Sequence, residues 1–132
     1  MNRNEAREQA FLLIFSESFN SEQSIEELIA NALEANDYEN DEYTFRLIKG
    51  VSENKAQIDE IIAEKLNKWK MERLPKTTLA ILRLAVFEII YCDDIPDSVS
   101  INEAVELAKR FGSEKDYSFV NGVLGNISRA KQ

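Results

Sequence analysis

Apolar residues recur through most of this chain at intervals of three and four positions, the spacing expected of α-helices that bury one face. The pattern is clearest after Ser24, where the apolar positions are Ile25, Leu28, Ile29, Ala32 and Leu33. Similar stretches predict seven helices in all. The first covers about residues 4–18, and the second runs from 24 to an acidic loop at 36–42. The others cover about 41–52, 54–67, 77–91, 100 to a stop at Gly112, and 115–129. Because no segment shows the alternation of a strand, the pattern predicts an all-α fold of about seven helices.

Two sequence patterns mark where helices are expected to begin. Ser24 and Glu27 match the capping box, in which a hydroxyl and a carboxylate satisfy free N–H groups of the first turn. Ser100 and Glu103 repeat the pattern and predict a second helix start. The helix over 77–91 is instead apolar on nearly all sides, so we expect it to lie buried at the centre of the fold.

Two predicted helices contain glycine where packing alone favours other residues. Gly50 lies in the third helix, whose apolar positions include Phe45, and it is a predicted weak point of that helix. Asn121-Gly122 lies in the middle of the last helix, where glycine costs about 1 kcal/mol relative to alanine. This pair indicates either a close backbone approach or a side chain presented beside it.

Charge is unevenly distributed along a chain whose 132 residues suffice for one domain with a real core. The net charge is −8, and residues 16–64 hold 13 acidic and three basic side chains. Residues 65–83, by contrast, have a net charge of +5. One face is therefore expected to repel polyanions while another tolerates them, although solvated helix faces with no partner would explain the charges equally well.

Several classes of chemistry are excluded by what the sequence lacks. It has no His, no glycine-rich phosphate-binding motif and no Cys/His cluster, so we predict a binding module with no catalytic residue, cofactor or metal. Cys92 is the single cysteine; it fits a reducing compartment and is interpreted as a core residue. No stretch approaches the ~20 apolar residues of a membrane span, and no signal-peptide layout precedes the first helix. We therefore expect a cytoplasmic protein that engages neither membranes nor small-molecule substrates.

Phe119 is the strongest candidate for a binding residue. It lies off the inward stripe of the last helix, beside Lys115, Ser118 and Asn121. An aromatic ring next to ammonium, hydroxyl and amide groups suits stacking on an unpaired base. The alternative is that Phe119 packs against the preceding helix.

The first helix offers three further candidates. Arg3 and Arg7 could contact phosphates, or they could be ordinary solvated side chains. Phe15, at the far end of the helix, could anchor a protein partner or belong to the core.

Four motifs in a fixed order add a family resemblance to these arguments. They are Ala6-Arg7-Glu8 with Ala10, Trp69-Lys70-x-Glu72-Arg73-Leu74, Ile81-Leu82-Arg83-Leu84-Ala85 with Glu88, and the C-terminal group of Ile95-Pro96, INEAVELAK (101–109) and FVNGVL (119–124). With these motifs the chain resembles the NusB family of bacterial antitermination factors over nearly its whole length.

The resemblance implies a single helical domain (1–132) of two packed subdomains, divided near residue 70 into about 1–70 and 71–132. It implies no enzymatic activity. It also implies binding to a small-subunit ribosomal protein, called NusE in transcription, and to the single-stranded boxA element of nascent ribosomal RNA. That complex would act on RNA polymerase to prevent termination.

The resemblance also assigns roles to particular positions. Those expected to touch RNA are Arg3, Arg7, Lys115, Ser118, Phe119 and Asn121. Those expected at or near the ribosomal protein are Phe15, Thr78, Arg83 and Glu88. Thr78 and Leu79 stand where the family usually has an acid and a base, which predicts a more apolar partner interface.

Two alternatives to this function remain open from the sequence. Asn2, Asn4 and Glu5 dilute an N-terminus that is richer in bases in the family, which leaves room for a protein-interaction module without RNA binding. The second alternative is a fragment of a ribosomal RNA methyltransferase, because the N-terminal part of such enzymes has a similar helical domain.

Overall fold

The computed structural model describes residues 1–19, 22–67 and 69–131, so Lys68 of the basic stretch lies outside the described residues. Within these ranges the chain forms seven α-helices and one short 3-10 helix (Met71–Arg73), and no strand is present there. The α-helices are α1 (Arg3–Glu17), α2 (Ile25–Glu34), α3 (Glu42–Glu53), α4 (Lys55–Glu64), α5 (Lys76–Tyr91), α6 (Asp97–Phe111) and α7 (Glu114–Ala130). The predicted all-α class is confirmed. Among the described helices, none has the length and apolarity needed to cross a membrane.

Helix α5 lies at the centre of the fold, as its apolar circumference predicts. It contacts α1, α3, α4, α6 and α7. Its buried residues are Thr78, Ala80, Ile81, Leu82, Leu84, Ala85, Val86, Phe87, Glu88 and Ile89. Helices α1 and α3 contact each other as well as α5, and so do α6 and α7. The division into subdomains near residue 70 stays a prediction.

The two predicted capping boxes have different outcomes. At α2 the Ser24 hydroxyl accepts a hydrogen bond from the Glu27 N–H at 3.1 Å, which confirms that helix start. Helix α6 instead begins at Asp97, with Pro96 in extended geometry before it, so the predicted start at Ser100 is wrong. The helix begins one turn earlier because the proline presets the φ angle at its entry. Ser100 is consequently buried inside the helix rather than capping it.

Two residues of the predicted apolar stripes, Phe45 and Leu33, are not buried. Phe45 is 46% exposed and Leu33 is 39% exposed. In α3 the inward position next to Phe45 belongs to Thr44, whose hydroxyl donates to the Ala6 carbonyl oxygen at 3.2 Å. A buried hydroxyl is tolerated there because it is hydrogen-bonded, and the helical period then turns Phe45 toward solvent.

Of the two alternatives at Asn121-Gly122, the close backbone approach is absent there, and such an approach occurs at Gly50. A Cβ atom on Gly50 would lie 2.1 Å from the Phe87 ring of α5, far inside van der Waals contact. A Cβ atom on Gly122 would meet no atom within 4 Å. Gly50 is therefore a packing requirement of the α3–α5 contact rather than a weak point, and Gly122 faces open space.

These two glycines should respond to alanine in opposite directions. We expect Gly50→Ala to lower the free energy of unfolding by about 1–3 kcal/mol, because the methyl group displaces Phe87. We expect Gly122→Ala to raise it by about 0.5–1 kcal/mol, because alanine is the better helix former and has room. Urea unfolding measures both. A stability for Gly50→Ala equal to that of the original chain would contradict the close approach.

Candidate functional site

A groove of about 230 Å³ separates the first turns of α7 from the segment that leads into α5. We call it the connector groove. It is lined by Trp69, Arg73, Leu74, Pro75, Thr78, Lys115, Asp116 and Phe119. The groove therefore brings together two of the residues expected to touch RNA, Lys115 and Phe119, with one expected at the protein partner, Thr78.

The backbone after α4 explains why Trp69 faces the groove. Leu66 is buried, and the next residue, Asn67, has a φ of 58°. Asparagine tolerates this left-handed conformation, which reverses the chain direction. The Trp69 N–H then donates to the Leu66 carbonyl oxygen at 3.0 Å, and its indole is left 56% exposed.

Trp69 and Phe119 form an aromatic pair across the groove. Their ring centroids are 6.2 Å apart and their planes meet at 77°, an edge-to-face arrangement. Phe119 is half-buried, and this contact joins it to the segment between α4 and α5. The sequence motif WKMERL pointed to Trp69 as a family feature, but the assignment of site residues missed it. The signal in the sequence that could have identified Trp69 was its position within the basic stretch, residues 65–83.

Helix α7 presents a second part of the site on one stripe. Lys115, Ser118, Phe119 and Gly122 follow the three- and four-residue spacing that places side chains on one helix face. Lys115 and Ser118 are exposed, and so is Asn121 beside the stripe. Since Gly122 has no side chain and faces open space, it leaves bare backbone next to Phe119. A flat ligand can therefore approach the helix closely at this point.

Arg7 and Glu88 lie in the interior, away from this site. Arg7 is 3% exposed, and its Nε donates to both carboxylate oxygens of Glu88 at 3.1 and 2.9 Å. The Tyr43 hydroxyl donates to the same carboxylate, and Arg7 Nη1 donates to Asn4 Oδ1 at 3.3 Å. The predicted surface contacts, Arg7 with RNA and Glu88 with a protein, therefore do not fit this structure. Burying either charge without the other would cost considerable folding free energy, and their pairing offsets that cost.

The pKa shifts in this cluster follow from its burial. Burial alone would lower the pKa of Arg7, but the charge and hydrogen bonds of Glu88 outweigh it and raise that pKa above its ordinary value. Burial and the hydrogen bond to Glu88 both raise the pKa of Tyr43 well above its ordinary value. Arg7 therefore stays charged, and Tyr43 stays a hydrogen-bond donor, across the physiological range.

Comparisons with known proteins agree on one family. The family model described as "NusB family" matches residues 4–129. The chain belongs to the NusB family. It is similar to the transcription antitermination protein NusB of Listeria welshimeri (47% identical, 97% of each chain covered) and to that of Clostridium novyi (42% identical, covering 98% of this chain and all of the relative).

Solved structures agree with the sequence comparison. A T. maritima NusB structure superposes with a TM-score of 0.89 at 35% identity, covering 98% of this chain and 92% of that one. A structure of the antitermination factors NusB and NusE in complex with dsRNA superposes with a TM-score of 0.85 at 30% identity, covering 98% and 99%. The predicted NusB resemblance is thereby confirmed.

The remaining predicted residues of this NusB-family chain are spread over other faces. Arg3 is exposed on α1, with its guanidinium 4.5 Å from the centroid of the Tyr43 ring. Arg83 donates to both carboxylate oxygens of Asp59, at 2.8 and 2.9 Å. Thr78 is buried in the wall of the connector groove, so its side chain is not on an exposed partner face.

Phe15 lies within a row of aromatic rings at the end of α1. Its centroid is 6.0 Å from that of Phe11 and 5.0 Å from that of Phe19, which is 58% exposed. Lys76 covers Phe19 at 4.4 Å and donates to the Ser18 carbonyl oxygen at 2.9 Å. Sequence reasoning found Phe15 but missed Phe19, although the four-residue spacing of the two rings was an available signal. It also missed Lys76, which only the fold brings to the same surface.

Replacing one member of the Arg7–Glu88 pair should destabilise the fold more than replacing both members. We expect Glu88→Leu alone to lower the free energy of unfolding by about 3–5 kcal/mol, because it leaves the Arg7 charge buried and unpaired. The double variant Arg7→Met with Glu88→Leu should recover much of that loss. Urea unfolding at fixed pH compares the two, with Lys70→Ala as the surface control, because Lys70 is exposed and lies outside this cluster; its stability is expected within about 0.5 kcal/mol of the original chain. Equal losses in the single and double variants would contradict this account.

Proposed function

We propose that this NusB-family chain is a transcription antitermination factor that binds unpaired boxA RNA of nascent ribosomal RNA jointly with NusE. The observation that supports it best is the α7 stripe beside the connector groove, where exposed cationic, polar and aromatic groups meet. The relatives' name, transcription antitermination protein, describes a role in transcription, and we propose no enzymatic activity or cofactor. The proposed place of action is the cytoplasm, on the RNA polymerase antitermination complex.

The RNA face that we propose comprises Lys115, Ser118, Phe119 and Asn121, with Arg3 as a separate phosphate contact. Phe119 offers part of its ring for stacking on a base, and Lys115 offers a charge for a phosphate. Ser118 and Asn121 are exposed hydrogen-bonding groups beside them. Arg7 is left out of the proposed face because Glu88 already holds its charge in the interior.

The net charge of −8 supports a joint rather than a solitary RNA-binding mode. Few cations line the proposed face, so counterion release alone gives this chain little RNA affinity. A basic partner docked beside the face would add its own phosphate contacts and raise the effective affinity without tight binding by either protein alone. A similar solved structure contains NusB and NusE with double-stranded RNA, which supports joint rather than solitary binding of RNA.

The partner face that we propose is the aromatic row at the end of α1. Phe15 and Phe19 expose apolar ring surface there, next to the Lys76 ammonium. Arg83 is held by Asp59 and has a side chain only 11% exposed. We therefore propose that Phe15 and Phe19 contact NusE directly, while Arg83 and Glu88 support the helices on which that surface is built.

Fluorescence anisotropy of labelled boxA RNA, with a scrambled RNA of equal length at fixed salt, tests this function. We expect selective binding to be much stronger with NusE present than with either protein alone. Lys115→Glu should weaken the ternary complex, because it replaces a phosphate contact by a repulsive charge. Lys49→Glu on α3 makes the same change in net charge outside the proposed face and should have a much smaller effect.

Two results would contradict the proposal. Absence of selective RNA binding in every combination, with NusE binding intact, would favour a protein-interaction module. Equal effects of Lys115→Glu and Lys49→Glu would remove the α7 stripe from the RNA face, because net charge alone would then account for the loss.

A further inference from the structure

We infer that the connector groove is a pocket for one unpaired nucleobase, in which Trp69 adds a second aromatic ring beside Phe119. This inference rests on the proposed RNA function and deepens it. It adds Trp69 and Thr78 as residues that would hold and select a base.

The size and walls of the groove fit such a ligand. At about 230 Å³ it is smaller than the roughly 300 Å³ at which pockets for drug-sized ligands begin, so it suits a fragment such as a single base. Leu74 and Pro75 line it together with the two aromatic rings. Because the two rings meet edge to face, they are in contact and leave no space for a base between them. Trp69 is 56% exposed, so a base would stack on the exposed ring surface that faces the groove.

Thr78 supplies a hydrogen-bonding group that the fold does not use. Its side chain is 1% exposed, and among the described residues its hydroxyl has no hydrogen-bond partner. Leaving a buried hydroxyl unpaired costs folding free energy. Thr78 lines the groove, and a change of its χ1 rotamer is the movement that would bring the hydroxyl to a base bound there. There it can donate to, or accept from, the edge of a base.

The charges around the groove orient the ligand. Arg73 and Lys115 are exposed residues of the lining and favour phosphates on either side of an inserted base. Asp116 also lines the groove, but its carboxylate accepts a hydrogen bond from the Ser113 N–H at 2.7 Å. This bond turns the acid toward the start of α7. The base would therefore lie against the aromatic pair, with its backbone along the cationic residues.

Trp69 is the single tryptophan of the chain, so intrinsic fluorescence monitors the proposed pocket directly. We expect boxA RNA, in the presence of NusE, to quench Trp69 fluorescence with the same midpoint as the anisotropy titration. Trp69→Ala should weaken RNA binding about ten-fold, and Trp69→Phe should retain most of the affinity, since stacking needs an aromatic face. Phe45→Ala removes an exposed aromatic ring on α3 and serves as the matched control, expected to have no effect.

The Thr78 contribution has its own test. Thr78→Val keeps the side-chain shape and removes the hydroxyl, so circular dichroism should find the thermal midpoint unchanged or raised. With a set of RNAs that differ in one base, we expect the variant to lose discrimination between bases by about three- to ten-fold. Equal discrimination by both proteins would remove Thr78 from the pocket.

The outcomes separate this inference from the proposed function. RNA binding with unchanged Trp69 fluorescence, and with normal affinity in Trp69→Ala, would overturn the pocket and leave the RNA function standing. Quenching by NusE alone, with no further change on adding RNA, would assign the groove to the protein partner and overturn the pocket as well. Absence of RNA binding in every combination would overturn both. If Trp69→Ala does not fold, the fluorescence titration of the original chain and the RNA affinity of Trp69→Phe still test the pocket.

Discussion

The buried ion pair between Arg7 and Glu88 is the constraint on which the arrangement of helices depends. These residues are 81 positions apart in the chain, and their bidentate contact joins the start of α1 to α5. Because either charge left unpaired in this interior would be very costly, the packing of α1 on α5 must bring Arg7 to Glu88, and Tyr43 adds α3 to the same cluster.

This constraint also places the functional surfaces. Helix α5 is held near its C-terminal end by the ion pair and along α3 by the contact between Gly50 and Phe87. Its N-terminal end forms part of the connector groove, and α7 packs against it. The α7 stripe and the aromatic row on α1 are therefore fixed relative to each other through one central helix.

The end of α7 is tied to the same helix by polar contacts. Lys131 Nζ donates to the Ile89 carbonyl oxygen at 2.7 Å and to the Asp97 carboxylate at 2.8 Å. Ser128 donates to Asp97 as well, which joins α7 to the start of α6. These contacts hold the C-terminal end of α7, which lies opposite the groove. Nearer the groove, the buried side chains of Val120 and Leu124 pack α7 against the core.

Local rules were sufficient for the helix pattern, the centre of the fold and the exposed positions of α7. The period of apolar residues determined α5 as the buried helix, and it placed Lys115 and Phe119 away from the inward stripe, because helical geometry relates residues only a few positions apart. The same rules failed for Arg7 and Glu88, which look like surface charges until the fold brings them together. They also failed for the glycines, since only a neighbouring helix decides whether a missing side chain is needed.

By itself, the sequence determined the helices, the family and the exposed stripe on α7 that we propose for RNA. Only the tertiary structure decided which charges are buried in pairs, that Gly50 rather than Gly122 is the close contact, and that Trp69 and Thr78 share a groove with Phe119. The physical reason is distance along the chain. Side-chain periodicity carries information about one helix at a time, whereas ion pairs, grooves and close approaches arise between helices and depend on how they pack.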